Sequence, residues 1–117
     1  MPQITVDYSA PLEDAFDRRG FALALHAEVV EIAAARMEAC KTRFFRTEDT
    51  AVGADPDGHA IVHVTFGLLA GRSDETKARL TEVTLDLLRQ HVKPGGRTLH
   101  ASAEVRDLDP SYRKFES

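Results

Sequence analysis

At 117 residues, with 43% hydrophobic and 29% charged side chains, the chain has the size of one domain (residues 1–117) with a modest core. A net charge of −4 argues against a nucleic-acid surface, which needs a basic face, and no apolar run approaches the ~20 residues of a membrane span. The lone Cys40 has no partner for an internal disulfide, and no basic stretch leads into an apolar signal segment, so a reducing cytoplasm is expected.

Pro2 stands directly behind the initiator Met1. Removal of Met1, which a small second residue permits, would leave proline as a free secondary amine. An α-amino group titrates near ~7.7–8.0, and burial or nearby cations lower it, which is where a general base works best at neutral pH. Met-Pro starts are common, however, and an internal proline nitrogen has no useful basicity.

Residues 3–8 alternate polar and apolar and read as a strand, broken by Ser9-Ala10-Pro11. A helical region follows over roughly 13–35, interrupted near Gly20, with Leu25, Val29, Ile32 and Ala33 recurring at helical spacing. Residues 38–48 are extended, with Cys40, Thr42 and Phe44 on one face and Lys41, Arg43 and Phe45 on the other. Ala54-Asp55-Pro56-Asp57-Gly58 is a turn.

The order then repeats. Residues 59–69 form the clearest strand, with Ala60, Val62, Val64, Phe66 and Leu68 alternating against His59, Ile61, His63 and Thr65. Gly71-Arg72 turns the chain, Ser73 caps the next helix, and Asp74 and Glu75 suit the positive end of its dipole. Leu80, Val83, Thr84, Leu87 and Leu88 form its inner stripe, and Pro94-Gly95-Gly96 ends it. A last strand over 97–107 turns Leu99, Ala101, Ala103 and Val105 inward. Two β-α-β units in tandem, about 2–50 and 59–107, predict an α+β fold: a four-stranded mixed sheet with both helices on one face. The other face carries Phe45 and Ile61 and lacks a cover, which points to a homo-oligomer.

The stretch Leu69-Ala70-Gly71-Arg72-Ser73-Asp74-Glu75-Thr76-Lys77 resembles the Gly-Arg-Ser-Asp-Glu-x-x-Lys segment of 4-oxalocrotonate tautomerase. The opening Met1-Pro2-Gln3-Ile4-Thr5-Val6-Asp7-Tyr8-Ser9 and the run Ala60-Ile61-Val62-His63-Val64-Thr65 resemble 5-carboxymethyl-2-hydroxymuconate isomerase of the same tautomerase superfamily. The resemblance covers most of residues 2–107. It implies a cofactor-free trimeric isomerase of aromatic-compound catabolism, with an N-terminal proline as base and arginines that hold substrate carboxylates. By position Pro2 matches the proline and Arg72 the arginine of the Gly-Arg-Ser turn. The family's Arg-x-Arg pair corresponds to Lys41-Thr42-Arg43, so Arg43 is kept in type while Lys41 keeps the charge without the bidentate fork.

These residue types also make chemical sense by themselves. Ketonising an enol needs a base that removes a proton and returns it elsewhere, and cations near the carboxylate and the developing oxyanion. Pro2 would supply the first, and Arg72, Arg43 and Lys41 the second. The first unit has Leu12 near the place of Arg72, and the second has no proline, so one site per chain is expected. Two other readings compete: the same fold and proline serving a decarboxylase, hydratase or dehalogenase, or a ferredoxin-like binding module in which Pro2 has no role. Lys41 and Arg43 also suit an ordinary solvent-facing strand. His59 and His63 stand roughly 13 Å apart on a strand at ~3.3 Å per residue, too far to share a metal ion. Cys40 reads as a small buried residue.

Overall fold

The computed structural model describes residues 2–117; Met1, and with it the question of its removal, lies outside the described residues. Strand β1 (Gln3–Ser9), helix α1 (Arg18–Ala33), strand β2 (Lys41–Thr47), strand β3 (His59–Leu68), helix α2 (Asp74–His91) and strand β4 (Thr98–Asp107) follow in chain order. The sheet order is β2-β1-β3-β4, with β1/β2 and β3/β4 parallel and β1/β3 antiparallel. Each β-α-β unit thus pairs its two strands directly. That differs from a ferredoxin-like split β-α-β, in which another strand separates the parallel pair.

Two boundaries differ from the sequence expectation. The region before α1 is not helical from residue 13; a 3-10 turn covers Ala10–Leu12 and the helix begins at Arg18. Asp17 sets the start, because its carboxylate accepts from Gly20 N at 3.1 Å, one of the donors that a helix start leaves without a partner. Gly20 therefore belongs to the first turn of α1 and does not interrupt it. A Cβ there would sit 2.2 Å from Asp17 Oδ2, so the cap and the glycine require each other. Strand β2 begins at Lys41 rather than 38 because Met37–Ala39 close a second 3-10 turn.

The core lies between the sheet and both helices. Ile4, Val6 and Tyr8 of β1 and Ala60, Val62, Val64, Phe66 and Leu68 of β3 face Phe21, Leu25 and Val29 of α1 and Leu80 and Leu88 of α2. Alternation at period two in β3 and spacing of four in the helices produce this burial. Leu12, aligned by sequence with the arginine turn of the second unit, is fully buried. Strand β4 is an edge, so only Leu99, Ala103 and Val105 reach the core, and Ala101 is exposed where it was expected inside. The opposite sheet face carries Gln3, Thr5 and Asp7 beside Lys41, Arg43 and Phe45, and among the described residues no helix covers it. Among the described residues, no helix is long and apolar enough to cross a membrane.

At the Tyr8 end of β1, charged groups tie the first connection down. Tyr8 donates to Glu13 Oε1 at 2.7 Å, Arg18 Nη2 meets Glu13 Oε2 at 2.8 Å, and Arg18 also donates to the Tyr8 hydroxyl. The Tyr8 hydroxyl foremost, and then Arg18, hold the Glu13 carboxyl down to about 2. A depressed carboxyl stabilises the fold fully above the ordinary value of 4.5 and loses that contribution as pH falls toward 2. Glu13→Gln is therefore expected to flatten the fall in Tm between pH 5 and pH 2; identical pH profiles for the variant and the natural chain would contradict this.

Candidate active site

The strand directions gather several termini at one end of the sheet. β1 and β2 start there, β3 and β4 finish there, α1 ends there, and α2 begins there. Pro2 lies at this end, buried, with its carbonyl accepting from Lys41 N at 3.2 Å. It shares the inward alternation of Ile4, while Gln3 and Lys41, opposite one another in register, sit on the uncovered face. Pro2 and Lys41 are thus direct neighbours across two parallel strands. Arg43 continues the same face, opposite Thr5, with its guanidinium 5.9 Å from the Phe45 ring centroid.

Arg72 reaches this end by a different route. The β3–α2 turn is shaped by Gly71 at φ 123°, which only glycine adopts without strain, and by Ser73, whose hydroxyl accepts from Thr76 N at 3.2 Å to cap α2. Arg72 then folds back against the end of α1. Its Nη2 and Nε donate to Ala33 O at 2.9 and 3.3 Å, and Nη1 donates to Leu69 O at 3.2 Å. A guanidinium has five N–H groups, so among the described residues one on each terminal nitrogen is left for a ligand. The next residue, Ala34, holds left-handed backbone at φ 55° and ψ 38°, a conformation costing a non-glycine about 1–2 kcal/mol. Arg72 is accordingly a clamp on the strained end of α1.

Lys41, Arg43 and Arg72 pair with no carboxylate among the described residues, whereas Lys77 of α2 is taken by Asp107 of β4 at 2.9 Å. The partial positive charge at the N-terminus of α2 is met by Asp74 and Glu75 in its own first turn.

The C-terminal segment, which shows no periodicity in sequence, crosses this end of the sheet. Leu108 N donates to Leu68 O at 2.7 Å, and its side chain lies over Gly67, where an added Cβ would stand 2.7 Å from Leu108 Cδ2. Tyr112 is bonded through its hydroxyl by Gln3 Nε2 at 3.1 Å. Residues 112–116 then wall a cleft of about 370 Å³ whose floor is Gln3 and Lys41. This wall escaped sequence reasoning entirely.

Other features expected of the sequence fall away from this end. A larger groove, about 610 Å³, lies at the Tyr8 end of β1 between Phe16, Leu23 and Phe44, away from Pro2. His59 contacts His100 at 3.0 Å and Asp55 at 3.3 Å, and His63 contacts Ser102 at 2.6 Å, so the two histidines point to separate partners. His26 Nε2 lies 2.7 Å from Thr42 Oγ1, pinning α1 to β2, and burial lowers its pKa. Cys40 is buried directly before Lys41, and burial pushes its thiol up, which opposes a nucleophilic role.

A family model described as 5-carboxymethyl-2-hydroxymuconate isomerase matches residues 2–116. No curated protein matches the chain by sequence. Among solved structures, a 5-carboxymethyl-2-hydroxymuconate isomerase from Deinococcus radiodurans R1 is similar with TM-score 0.74 and 22% identity over 98% of this chain and 90% of that one. A fused 4-OT wild-type symmetric trimer gives TM-score 0.72 and 19% identity over 91% and 85% of the two chains. An FG41 malonate semialdehyde decarboxylase inhibited by 3-bromopropiolate gives 0.67 and 21% over 98% and 89%. Likeness at these identities establishes the fold, the tautomerase-like α+β sheet with two helices.

Proposed function

The chain belongs to the 5-carboxymethyl-2-hydroxymuconate isomerase family, and from that premise we propose that it is a tautomerase-superfamily isomerase that ketonises a carboxylated dienol, with Pro2 as base once Met1 is removed. The observation that supports this reading is that Lys41, Arg43 and Arg72, which pair with no carboxylate among the described residues, lie on β2 and on the β3–α2 turn, elements that start or finish at the end of the sheet where Pro2 precedes β1. Nearby positive charge disfavours the protonated amine and leaves the Pro2 nitrogen free to accept a proton.

In the proposed reaction the dienol O–H gives its proton to the Pro2 nitrogen. The electron pair left on oxygen forms the ketone as the double bonds shift along the chain. The ammonium then returns the proton to a carbon farther along, so nothing is gained or lost. Arg72, through its two remaining N–H groups, and Lys41 bind the substrate carboxylate and the oxygen on which charge develops. No cofactor enters this scheme. Substrates of this type arise by ring opening of aromatic acids, so the proposed setting is aromatic-compound catabolism in the cytoplasm.

The polar, uncovered sheet face and the symmetric trimer formed by the fused 4-OT support a homotrimer, with sheets packed about a shared axis. A mass in solution three times that of the chain is expected by light scattering. The function itself is tested with 2-hydroxymuconate-type dienols, followed by ultraviolet absorbance on protein whose N-terminus has been read by mass spectrometry. Ketone formation by the Pro2-terminal form is expected, and inactivity of that form on every such dienol would contradict the proposal. Release of carbon dioxide would favour the decarboxylase alternative, for which Lys41 in place of an arginine is the motivating departure.

A further inference from the structure

We propose that the imidazoles of His59 and His100, with the Asp55 carboxylate behind them, bind one divalent ion of the zinc class at the end of the sheet remote from Pro2. The ion braces the start of β3 against β4 and against the turn before it. The proposed isomerisation does not depend on it.

At this end β3 and β4 reach farther than their neighbours. Pairing of β1 with β3 stops at Tyr8 and Val62, whereas β3 and β4 stay in register down to His59 and Thr98. His59 and His100 stand on this extension as diagonal neighbours on one face, since His100 is the register partner of Ile61. Nδ1 of His59 lies 3.0 Å from Nε2 of His100, with the ring centroids 5.1 Å apart. Asp55 fixes the far side of His59, its Oδ2 meeting Nε2 at 3.3 Å. The carboxylate is itself held. Its Oδ1 accepts from Asp57 N at 3.2 Å, and the Asp55 backbone is joined to Val52 by bonds of 2.9 and 3.1 Å.

This order of groups decides which nitrogens are free. With Nε2–H of His59 donated to Asp55, its Nδ1 carries a lone pair, and that lone pair faces His100. Without an ion, Nε2–H of His100 donates across the gap. When His100 carries its hydrogen on Nδ1 instead, two lone pairs meet one centre and an ion takes the place of the shared proton. Two nitrogens each ~2.0–2.1 Å from an ion, at angles from a right angle to the tetrahedral one, lie about 2.9–3.4 Å apart. The 3.0 Å spacing of the pair falls in that range. A ligating histidine that donates its other N–H to a carboxylate is better oriented and more basic, and Asp55 supplies that carboxylate. Imidazole suits zinc, nickel and copper, whereas magnesium and calcium require oxygen. Among the described residues no set of three or more His, Cys, Asp or Glu side chains is placed to hold a metal, so the pair gives two ligands and water the rest. His63, on the same strand face, is engaged by Ser102 Oγ at 2.6 Å and Glu104 Oε1 at 3.5 Å.

Titration calorimetry of the full chain with Zn2+, and with Mg2+ as the oxygen-preferring control, tests the site. One zinc per chain and no magnesium binding are expected. His59→Ala and His100→Ala are each expected to weaken zinc at least about tenfold, Asp55→Asn about tenfold, and His63→Ala not at all. His100→Cys, which offers zinc a different ligand at the same place, is expected to bind more tightly than His100→Ala. Zinc is also expected to raise the Tm of the natural chain and to leave that of His100→Ala unchanged, because an ion held by the folded form stabilises it. Absence of zinc binding would overturn the proposal. So would equal affinity in the natural chain, His59→Ala and His100→Ala, which is the signature of adventitious surface binding.

Discussion

Alanine in place of Pro2 is expected to lower kcat/KM on a carboxylated dienol by at least about tenfold, equivalent to ~1.4 kcal/mol in the barrier, while the fold is kept. The fold is kept because Pro2 contributes to the sheet through its carbonyl, which accepts from Lys41 N at 3.2 Å, and alanine supplies the same carbonyl. The rate falls because the ring is lost. A proline ring fixes the direction of its nitrogen and makes it a secondary amine, whereas an alanine amine rotates and is more heavily hydrated. Undiminished kcat/KM with an unchanged Tm would remove Pro2 from the reaction.

Arg72→Ala is expected to act on both rate and stability, because the structure gives this side chain two tasks. Losing the donors to Ala33 O and Leu69 O exposes the negative end of α1 next to the left-handed Ala34, at a cost of about 1–2 kcal/mol, read as a lower Tm. Losing the two free N–H groups lowers kcat/KM by at least about tenfold, as for a missing carboxylate or oxyanion partner. Arg72→Lys separates the tasks, since an ammonium can hold one carbonyl but cannot clamp two and still present a fork. A lower Tm with unchanged kcat/KM in Arg72→Ala would confine Arg72 to the helix end.

The fold was legible where side-chain period and burial coincide. Ala60 to Leu68 alternate without a break because β3 is central and faces both helices, and Leu80, Thr84 and Leu88 recur at four because α2 buries one narrow stripe. The start of α1 was not legible, since Phe16 and Leu12 are as apolar as a helix stripe would be, yet serve a 3-10 turn and a short connection. Ala101 was misjudged because alternation gives the face of a strand and not how far its neighbours extend over an edge.

The candidate site divides in the same way. Pro2, Lys41, Arg43 and Arg72 were proposed from a chain start, a family strand motif and a strand–helix turn, all of which are local. Arg72's bonds to Ala33 O are not local, and only the packing of α1 against the β3–α2 turn creates them. Tyr112 and the wall it begins had no signal at all: residues 109–116 have no period, and their position depends on the contacts of Leu108 with Gly67 and of Gln3 with Tyr112.

The central claim, that the free nitrogen of Pro2 is the base, is tested most directly by comparing two forms of one otherwise identical chain. One begins at Pro2; the other keeps Met1, which turns that nitrogen into an amide while every other side chain is unchanged. The account expects kcat/KM on a 2-hydroxymuconate-type dienol to fall by about a hundredfold or more in the Met1-bearing form, in line with loss of a general base. Equal turnover by the two forms, each verified by mass spectrometry, would contradict it.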